Sequence, residues 1–246
     1  YSGVGTQKLE AEIHARFPDV PCLRMDSDSM SKPGSHERAL DQFRSGQVKI
    51  LVGTQMIAKG LDFPNVTLVG VINADTALHF PDFRAAERTF QLVTQVAGRT
   101  GRGERGGRVV VQTFSPDHPA ILAAQRHDYA MFANHELPVR REFGYPPYAE
   151  MVRIVVRGPT AATVEHFAEH LAQLHRDSAR QRDMSPRILG PAPAPIPRIR
   201  GQFRFHVLFC HTQQDELLDL VREATHGLKP PEDVIWTVDV EPVDML

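Results

Sequence analysis

The sequence predicts an α/β protein in two parts, a lobe built on a parallel sheet and a smaller α+β domain after it. Through residue 115, short apolar strands alternate with amphipathic helices, a pattern typical of a parallel sheet with covering helices. The dipeptide Pro146-Pro147 then punctuates the chain, and beyond it the strands become longer and alternate in polarity. We therefore expect a lobe at 1–115, a helical connector at 116–147 and a second domain at 148–246.

Apolar spacing and the capping or breaking residues beside it define each element of the first part. Thr6 is expected to cap the first helix and Ser35 the second, which Gly46 ends. Strands are predicted at 21–25, 48–52, 66–72 and 107–114, and helices at 7–17, from Ser35 to Gly46, and at 83–96.

The rest of the chain is read in the same way. Asp117 is the expected cap of a helix at 120–127, and Pro138 is expected to break or restart the helix at 128–141. Beyond residue 147 the elements follow the order βαββαβ, which is typical of a ferredoxin-like sandwich. Its strands are predicted at 148–156, half exposed, and at 187–189, 203–210 and 234–240, with helices at 160–176 and 215–225.

Composition narrows the function classes. With a net charge of -2, 41% hydrophobic and 24% charged residues, contact with nucleic acid must come from local basic patches. The two cysteines, Cys22 and Cys210, argue against a disulfide framework or a zinc site within the chain and fit a reducing compartment. Without an apolar run long enough to span a bilayer, we expect a cytoplasmic protein. The chain opens without Met, so we expect it to be a fragment.

A basic stretch at 95–102 predicts a phosphate site. If helical geometry continues through it, Gln95, Arg99 and Arg102 fall at i, i+4 and i+7 and share one face. Guanidinium keeps its charge near neutral pH and offers a planar fork of donors to phosphoryl oxygens, while Gly98 and Gly101 leave room for close approach. A solvated basic helix end is the alternative, and the glutamine and glycines at this spacing favour phosphate.

A second polar stretch, at 53–64, follows the predicted strand at 48–52, where ligand sites collect in open α/β sheets. The Thr54 hydroxyl suits a backbone phosphate, and Gly60 with Asp62 suits a bending loop that pairs with a cation. For any single residue, a tight turn with a surface acid is the simpler interpretation, but the ordered set favours a site.

These two stretches resemble motifs VI and V of superfamily 2 helicases. The chain as a whole resembles the PriA family of replication-restart helicases, and the opening Gly3-Val4-Gly5-Thr6 is similar to that family's entry to the second helicase lobe. Gln7 stands where the family usually has Glu. The other stretches that carry the resemblance are 58–69, Asp75, 81–88, Gln91-Leu92, 144–148 and 189–193, with Arg198, Gly201 and Arg204.

The resemblance implies a RecA-like second helicase lobe followed by a ferredoxin-like domain that binds DNA. By position in the motifs, it assigns nucleotide contact to Gly60, Asp62, Gln95, Arg99 and Arg102, the catalytic ones being Gln95, Arg99 and Arg102. It assigns DNA contact to Thr54, Gln55 and Lys59. ATP and Mg²⁺ would be held mainly by a first lobe, because the chain has no Gly-x-x-x-x-Gly-Lys-Thr loop and no Asp-Glu-x-His box. The family's zinc also lies outside this stretch.

The proline-rich segment 191–201 is a candidate DNA-binding arm. Arg198, Arg200 and Arg204 alternate with Phe203 and Phe205, combining phosphate neutralisation with aromatic rings. The alternative is that the rings are core residues and the arginines solvate a sheet edge. We expect core aromatics and leave the role of the arginines open.

Two functions remain. The chain is either the C-terminal part of an ATP-dependent helicase that recognises stalled forks and restarts replication by primosome assembly, or a catalytically inactive DNA-binding module that loads primosome proteins. Intact Gln95, Arg99 and Arg102 favour the first. Expected partners are fork DNA, primosome proteins and single-strand binding protein, with the chain monomeric and inactive as an ATPase on its own.

Overall fold

The structure, a computed structural model, describes residues 2–26, 28–31, 34–54, 65–98 and 106–245. The chain forms two compact units. The N-terminal unit comprises Tyr1–Asp75 and Thr89–His127, and the C-terminal unit comprises Thr76–Arg88 and Asp128–Leu246. These two units are defined by geometry. The predicted functional boundaries at residues 115 and 147 are a different division of the chain and stay a prediction.

The N-terminal unit contains two pairs of parallel strands in its described residues, β1 with β2 and β3 with β4. Helices alternate with the strands, as the sequence predicts. The elements are α1 Ser2–Arg16, β1 Cys22–Met25, α2 Ser35–Arg44, β2 Ile50–Gly53, β3 Leu68–Val71, α3 Asp75–Leu78, α4 Ala85–Ala97, β4 Arg108–Val111 and α5 Pro119–Gln125. The segment 76–88 is assigned to the C-terminal unit. It contains α3 except for its first residue, Asp75, and it contains the first turn of α4.

Three predicted helix caps in the first half of the chain are wrong. Thr6 lies inside α1, and its hydroxyl donates to the Asp26 carboxylate instead. Ser35 is the first residue of α2 and Gly34, with φ 74°, is its cap. His118 rather than Asp117 caps α5, because Pro119 occupies the first helical position and the His118 ring accepts the Ala120 N–H. Gly46 does follow α2 with a left-handed φ of 77°, which confirms the predicted end of that helix.

The C-terminal unit is an antiparallel four-stranded sheet in the order β6-β7-β5-β8. Its elements are α6 Tyr129–Glu142, β5 Glu150–Gly158, α7 Ala161–Gln181, β6 Arg187–Ile199, β7 Gln202–His211, α8 Gln214–Thr225 and β8 Ile235–Val240. Val152, Ile154 and Val156 point from β5 into a core that α7 and α8 share. Both helices therefore cover the same face of the sheet.

Pro138 does not break its helix, contrary to the prediction. The helix α6 runs through Pro138 to Glu142. An ion pair between Glu136 and Arg140, 2.9 Å long, spans the proline, and Phe132 is buried before it. These contacts hold both sides of the helix and offset the lost backbone hydrogen bond.

Strand β5 is buried on both faces rather than half exposed. It lies between β7 and β8, and even Arg153 is only 6% exposed. The buried guanidinium forms an ion pair with Asp239 on the neighbouring strand β8 at 3.0 Å, and this carboxylate compensates its charge.

The proline-rich segment is a strand, not a separate arm. All of 191–199 belongs to β6, which forms a long hairpin with β7. The turn residues Arg200 and Gly201 have φ of 48° and 83°, as a two-residue primed turn requires. Prolines at alternate positions are tolerated because β6 is an edge strand, where every second N–H has no partner strand to meet.

Within the described residues, no helix is both long and apolar enough to cross a membrane.

Candidate nucleotide and nucleic-acid sites

Gln95 is the one predicted catalytic residue that lies in the described part of the chain. It is half-buried on α4, a helix anchored by Phe90 and Val93, which are 6% and 3% exposed. The Gly98 N–H donates to the Thr94 carbonyl at 3.0 Å, so helical bonding continues to that glycine. Arg99 and Arg102 follow directly and lie outside the described residues. The shared face predicted for the three side chains stays a prediction.

Thr54 lies where the sequence predicts, directly after the carboxyl end of β2. Its side chain is half-buried. The remaining residues predicted for this loop, Gln55, Lys59, Gly60 and Asp62, fall in 55–64, outside the described residues.

Asp26 follows the neighbouring strand β1, and sequence reasoning did not assign it a role. Met25 pairs with Gly53, so Asp26 and Thr54 leave the sheet at the same edge. The Asp26 carboxylate accepts the Ser29 N–H at 2.9 Å and the Thr6 hydroxyl at 2.7 Å. These hydrogen bonds, the Ser29 one first, lower the pKa of Asp26 to about 2. The carboxylate thus stays ionised and fixes α1 to the sheet edge; a sequence signal was available, an acid directly after an apolar strand.

Asp75 ties the ends of the other parallel pair. Its carboxylate accepts the Thr113 hydroxyl at 2.9 Å and the Phe114 N–H at 3.0 Å, both just beyond β4. Asp75 itself opens α3, shortly after β3. The geometry therefore assigns this residue a structural role in the lobe.

In the β6–β7 hairpin, the aromatic residues and the arginines lie in different environments. Phe205 is 8% exposed and belongs to the core, as expected. Phe203 is half-buried, and the Arg198 guanidinium lies 4.8 Å from its ring centre, so the cation already occupies one face of the ring. Arg200 is exposed in the turn, and Arg204 donates to the Ile196 carbonyl at 3.4 Å. The structure brings these cations to one hairpin.

Arg157 is a further cation here that sequence reasoning missed. It is exposed on β5 and stands directly opposite Arg204 on β7. Like charges paired across strands destabilise a sheet unless an anion neutralises them. Burial, with the charges of Arg153 and Arg204, also lowers the pKa of nearby His206 to about 4. This patch therefore favours an anionic ligand.

Among the described residues there is no cluster of three or more His, Cys, Asp or Glu side chains that could hold a metal ion. Cys22 and Cys210 are both free thiols. Burial raises the pKa of each thiol, so neither is activated as a nucleophile.

Comparison with known proteins matches both parts of the chain. Residues 5–104 match the helicase conserved C-terminal domain, and residues 141–243 match the primosomal protein N C-terminal domain. The chain is 42% identical over 249 residues to the replication restart protein PriA of Bacillus subtilis, covering 100% of this chain and 31% of that protein. Its identity to the PriA of Synechocystis is 39%, with 100% and 29% covered, and to that of Haemophilus influenzae 37%, with 99% and 33% covered.

The chain therefore contains the C-terminal lobe of a helicase joined to a primosomal C-terminal domain. It belongs to the PriA family of replication restart proteins and corresponds to the C-terminal part of these relatives. It spans about a third of their length.

Proposed function

We propose that the full-length protein is an ATP-dependent DNA helicase that recognises stalled replication forks and restarts replication by primosome assembly. This chain would supply its second RecA-like lobe and its C-terminal domain. The observation that carries the proposal is the succession of a helicase C-terminal domain and a primosomal C-terminal domain within one chain. Identity to replication restart proteins along the whole chain supports it.

In this proposal Arg99, Arg102 and Gln95 complete an ATP site whose other wall belongs to a first lobe. The arginines would stabilise the negative charge that develops on the transferring phosphoryl group, and Gln95 would orient the attacking water. Gly60 and Asp62 would contact the nucleotide from the neighbouring loop. ATP and Mg²⁺ would be held mainly by the first lobe, and the family's zinc would also lie outside this chain.

DNA contact is proposed for both parts of the chain. Thr54, Gln55 and Lys59 would contact the strand on the lobe. Arg198, Arg200 and Arg204 would neutralise phosphates from the hairpin, and the exposed Arg157 opposite Arg204 supports a phosphate at that position. We infer a ferredoxin-like fold for this domain, supported by the βαββαβ order and the strand order β6-β7-β5-β8.

The proposed division of labour is a helicase lobe at 1–115, a connector at 116–147 and a DNA-binding domain at 148–246. The partners would be forks and single-strand junctions, other primosome proteins and single-strand binding protein. The protein would act in the cytoplasm as a monomer.

ATP hydrolysis on fork DNA tests the proposal. We expect Arg102→Ala in the full-length protein to reduce the rate by about 10³-fold or more, because an arginine that meets the transferring phosphate contributes that much. Arg108→Ala is the matched control, since Arg108 is an exposed arginine of the same lobe on β4. The 246-residue chain alone should not hydrolyse ATP. A full-length protein that binds forks but never hydrolyses ATP would instead identify an inactive loader, and hydrolysis by the isolated chain that Arg102→Ala abolishes would refute the inactivity expected of it.

A further inference from the structure

The segment just before α4 is built into the C-terminal unit. Residues 76–88 belong to that unit, although they follow β3 and include the first turn of the helix that carries Gln95. Asp82 is the centre of the attachment, with a side chain that is 0% exposed. Its carboxylate accepts the Arg84 N–H at 2.9 Å and pairs with the Arg88 guanidinium at 3.0 Å. It also accepts the Met245 N–H at 3.3 Å.

The end of the chain covers the same segment. Arg84 donates to the Pro242 carbonyl at 2.7 Å, and Arg88 donates to the Val243 carbonyl at 2.8 Å. Backbone carbonyls that meet two guanidiniums on successive turns fix both position and direction of the segment. Met245, 3% exposed, closes this side.

Helix α6 holds the first turn of α4 from another side. Arg140, on α6, is 9% exposed and bridges two acids. Its guanidinium pairs with Glu87 of α4 at 2.7 Å and with Glu136 of α6 itself at 2.9 Å. A buried arginine with two carboxylates is a fixed point, since leaving either side uncompensated is costly. Of these two ion pairs, the one with Glu87 joins α6 to α4, and the one with Glu136 lies within α6.

Aromatic packing completes the attachment. Phe83 stacks on Tyr145 at 5.1 Å, and the guanidiniums of Arg84 and Arg140 lie 4.1 Å and 5.4 Å from the Phe83 ring centre. Phe83 and Tyr145 also pack on a buried cluster that includes Met151 of β5 and Cys210 of β7. The segment is therefore connected to the sheet that carries the hairpin arginines.

α4 continues from this attachment without a break. Its first residues, up to Arg88, belong to the C-terminal unit, and the helix then runs on through Gln95 to Ala97. Glu87 and Gln95 are separated by about two turns, roughly 12 Å of rise in a regular helix. The first turn of α4, in the C-terminal unit, and Gln95, in the N-terminal unit, therefore lie on one continuous helix.

We infer that Glu87 and Arg140 are positioning residues for the nucleotide site. Their ion pair fixes the first turn of α4 in the C-terminal unit, so that DNA held by this unit sets the position of the helix leading to Gln95, Arg99 and Arg102. The inference rests on the proposed function and adds a route by which fork DNA stimulates ATP hydrolysis.

The test uses the full-length protein with Glu87→Ala and the matched control Glu136→Ala. Both variants remove one carboxylate from Arg140, but only Glu87→Ala removes an ion pair between α6 and α4. The measurements are fork affinity, thermal stability, and the ratio of DNA-stimulated to DNA-free ATP hydrolysis. We expect Glu87→Ala to lower this ratio by roughly tenfold, because small errors in catalytic geometry carry large rate costs. Fork affinity should stay within about twofold, since the ion pair of Glu87 is with Arg140 of α6 and not with a hairpin arginine. Glu87→Gln, which keeps an acceptor oxygen, should recover part of the ratio.

A ratio that is equal in wild type, Glu87→Ala and Glu136→Ala would overturn the inference. So would a loss of fork affinity or stability in Glu87→Ala that accounts for the fall in rate, because that pattern marks a merely structural residue. Wild-type protein that binds forks without ATP hydrolysis would overturn the proposed function, and this inference with it.

Discussion

The two units bury their strands in different ways. In the C-terminal unit, one continuous core includes Phe209 and Ile154, both 0% exposed, and takes buried residues from two strands, β5 and β7, and two helices, α7 and α8. In the described part of the N-terminal unit, the core cluster around Met25 is much smaller, and Leu68 and Val110 are 62% and 51% exposed on one face of β3 and β4. Parallel sheets are normally covered on both faces. The comparison indicates that one closed apolar core stabilises the C-terminal unit, whereas in the described N-terminal residues the polar ties of Asp26 and Asp75 at strand ends add to a smaller core around Met25.

Replacing one phenylalanine in each unit gives the largest expected effect. Phe209→Ala should lower the free energy of unfolding by about 3–5 kcal/mol, because it leaves a cavity in a closed core. Phe114→Ala, at a side chain that is 93% exposed, should change it by less than about 0.5 kcal/mol. Urea unfolding followed by circular dichroism measures both. Equal losses would show that the Phe114 side chain is covered in solution.

Acid should affect the two units over different pH ranges. The pKa of Asp26 is lowered from 3.8 to about 2, so its stabilising contribution is complete above pH 4 and is lost as the pH falls from about 4 to 2. The pKa of His206 is lowered from 6.5 to about 4, so its neutral form favours folding and that contribution is lost as the pH falls from about 6.5 to 4. The expected sizes are roughly 2 kcal/mol for Asp26 and, after discounting for partial exposure, roughly 1 kcal/mol for His206.

The variants Asp26→Asn and His206→Gln separate these contributions. Urea midpoints are measured from about pH 7 to about pH 2.5. The midpoint should depend less on pH than in the wild type below pH 4 for Asp26→Asn, and between about pH 6.5 and 4 for His206→Gln. Thr6→Val should resemble Asp26→Asn in part, because it removes one of the hydrogen bonds that lower this pKa. The assignment fails if Asp26→Asn changes the profile only above pH 5.

Local patterns predict most elements of both units, and long-range contacts account for the errors. The order of strands and helices, the parallel pairing, Gly46 and the buried Phe205 all follow from periodicity and turn chemistry. Thr6 was misread as a cap because its partner Asp26 is 20 residues away. The strand at 148–156 was predicted to be half exposed because alternation along it says nothing of Asp239, the partner of Arg153 at a distance of 86 residues.

In the candidate sites, too, the sequence identified residue types, and the features that it missed depend on long-range contacts. The hairpin arginines were identified from composition, but their strand was not, since four prolines indicate an extended arm unless the edge position of β6 is known. Residues 81–88 carried the resemblance to a family without suggesting a role. Their long-range contacts, Met245 to Asp82 and Arg140 to Glu87, come from residues more than 50 positions away. Arg157 was missed because only strand register places it opposite Arg204.

The smallest expected effect is a change in the salt dependence of DNA binding when the hairpin arginines of the C-terminal unit are removed. Replacing Arg198, Arg200 and Arg204 together by Ala should weaken fork binding by the full-length protein and flatten its salt dependence. If each arginine neutralises one phosphate, the slope of log K against log salt concentration should fall by about 0.9 per arginine on duplex and about 0.7 on single strands. Thr54→Ala, which removes a neutral hydroxyl from the N-terminal unit, should leave the slope unchanged.

The slope, rather than affinity alone, decides between the two interpretations of the hairpin. Arg198 on the Phe203 ring and Arg204 on the Ile196 carbonyl already have contacts in the free protein, so their loss could weaken binding merely by loosening the hairpin. Loosening would lower affinity at every salt concentration alike, whereas lost phosphate contacts lower it most at low salt. Arg157→Ala tests an independent position on the neighbouring strand. If the basic patch continues from β7 to β5, this variant should lower the slope by the amount expected for one further phosphate contact. An unchanged slope in both the triple variant and Arg157→Ala would mean that these arginines only solvate a sheet edge, and that the DNA contact of the C-terminal unit lies elsewhere.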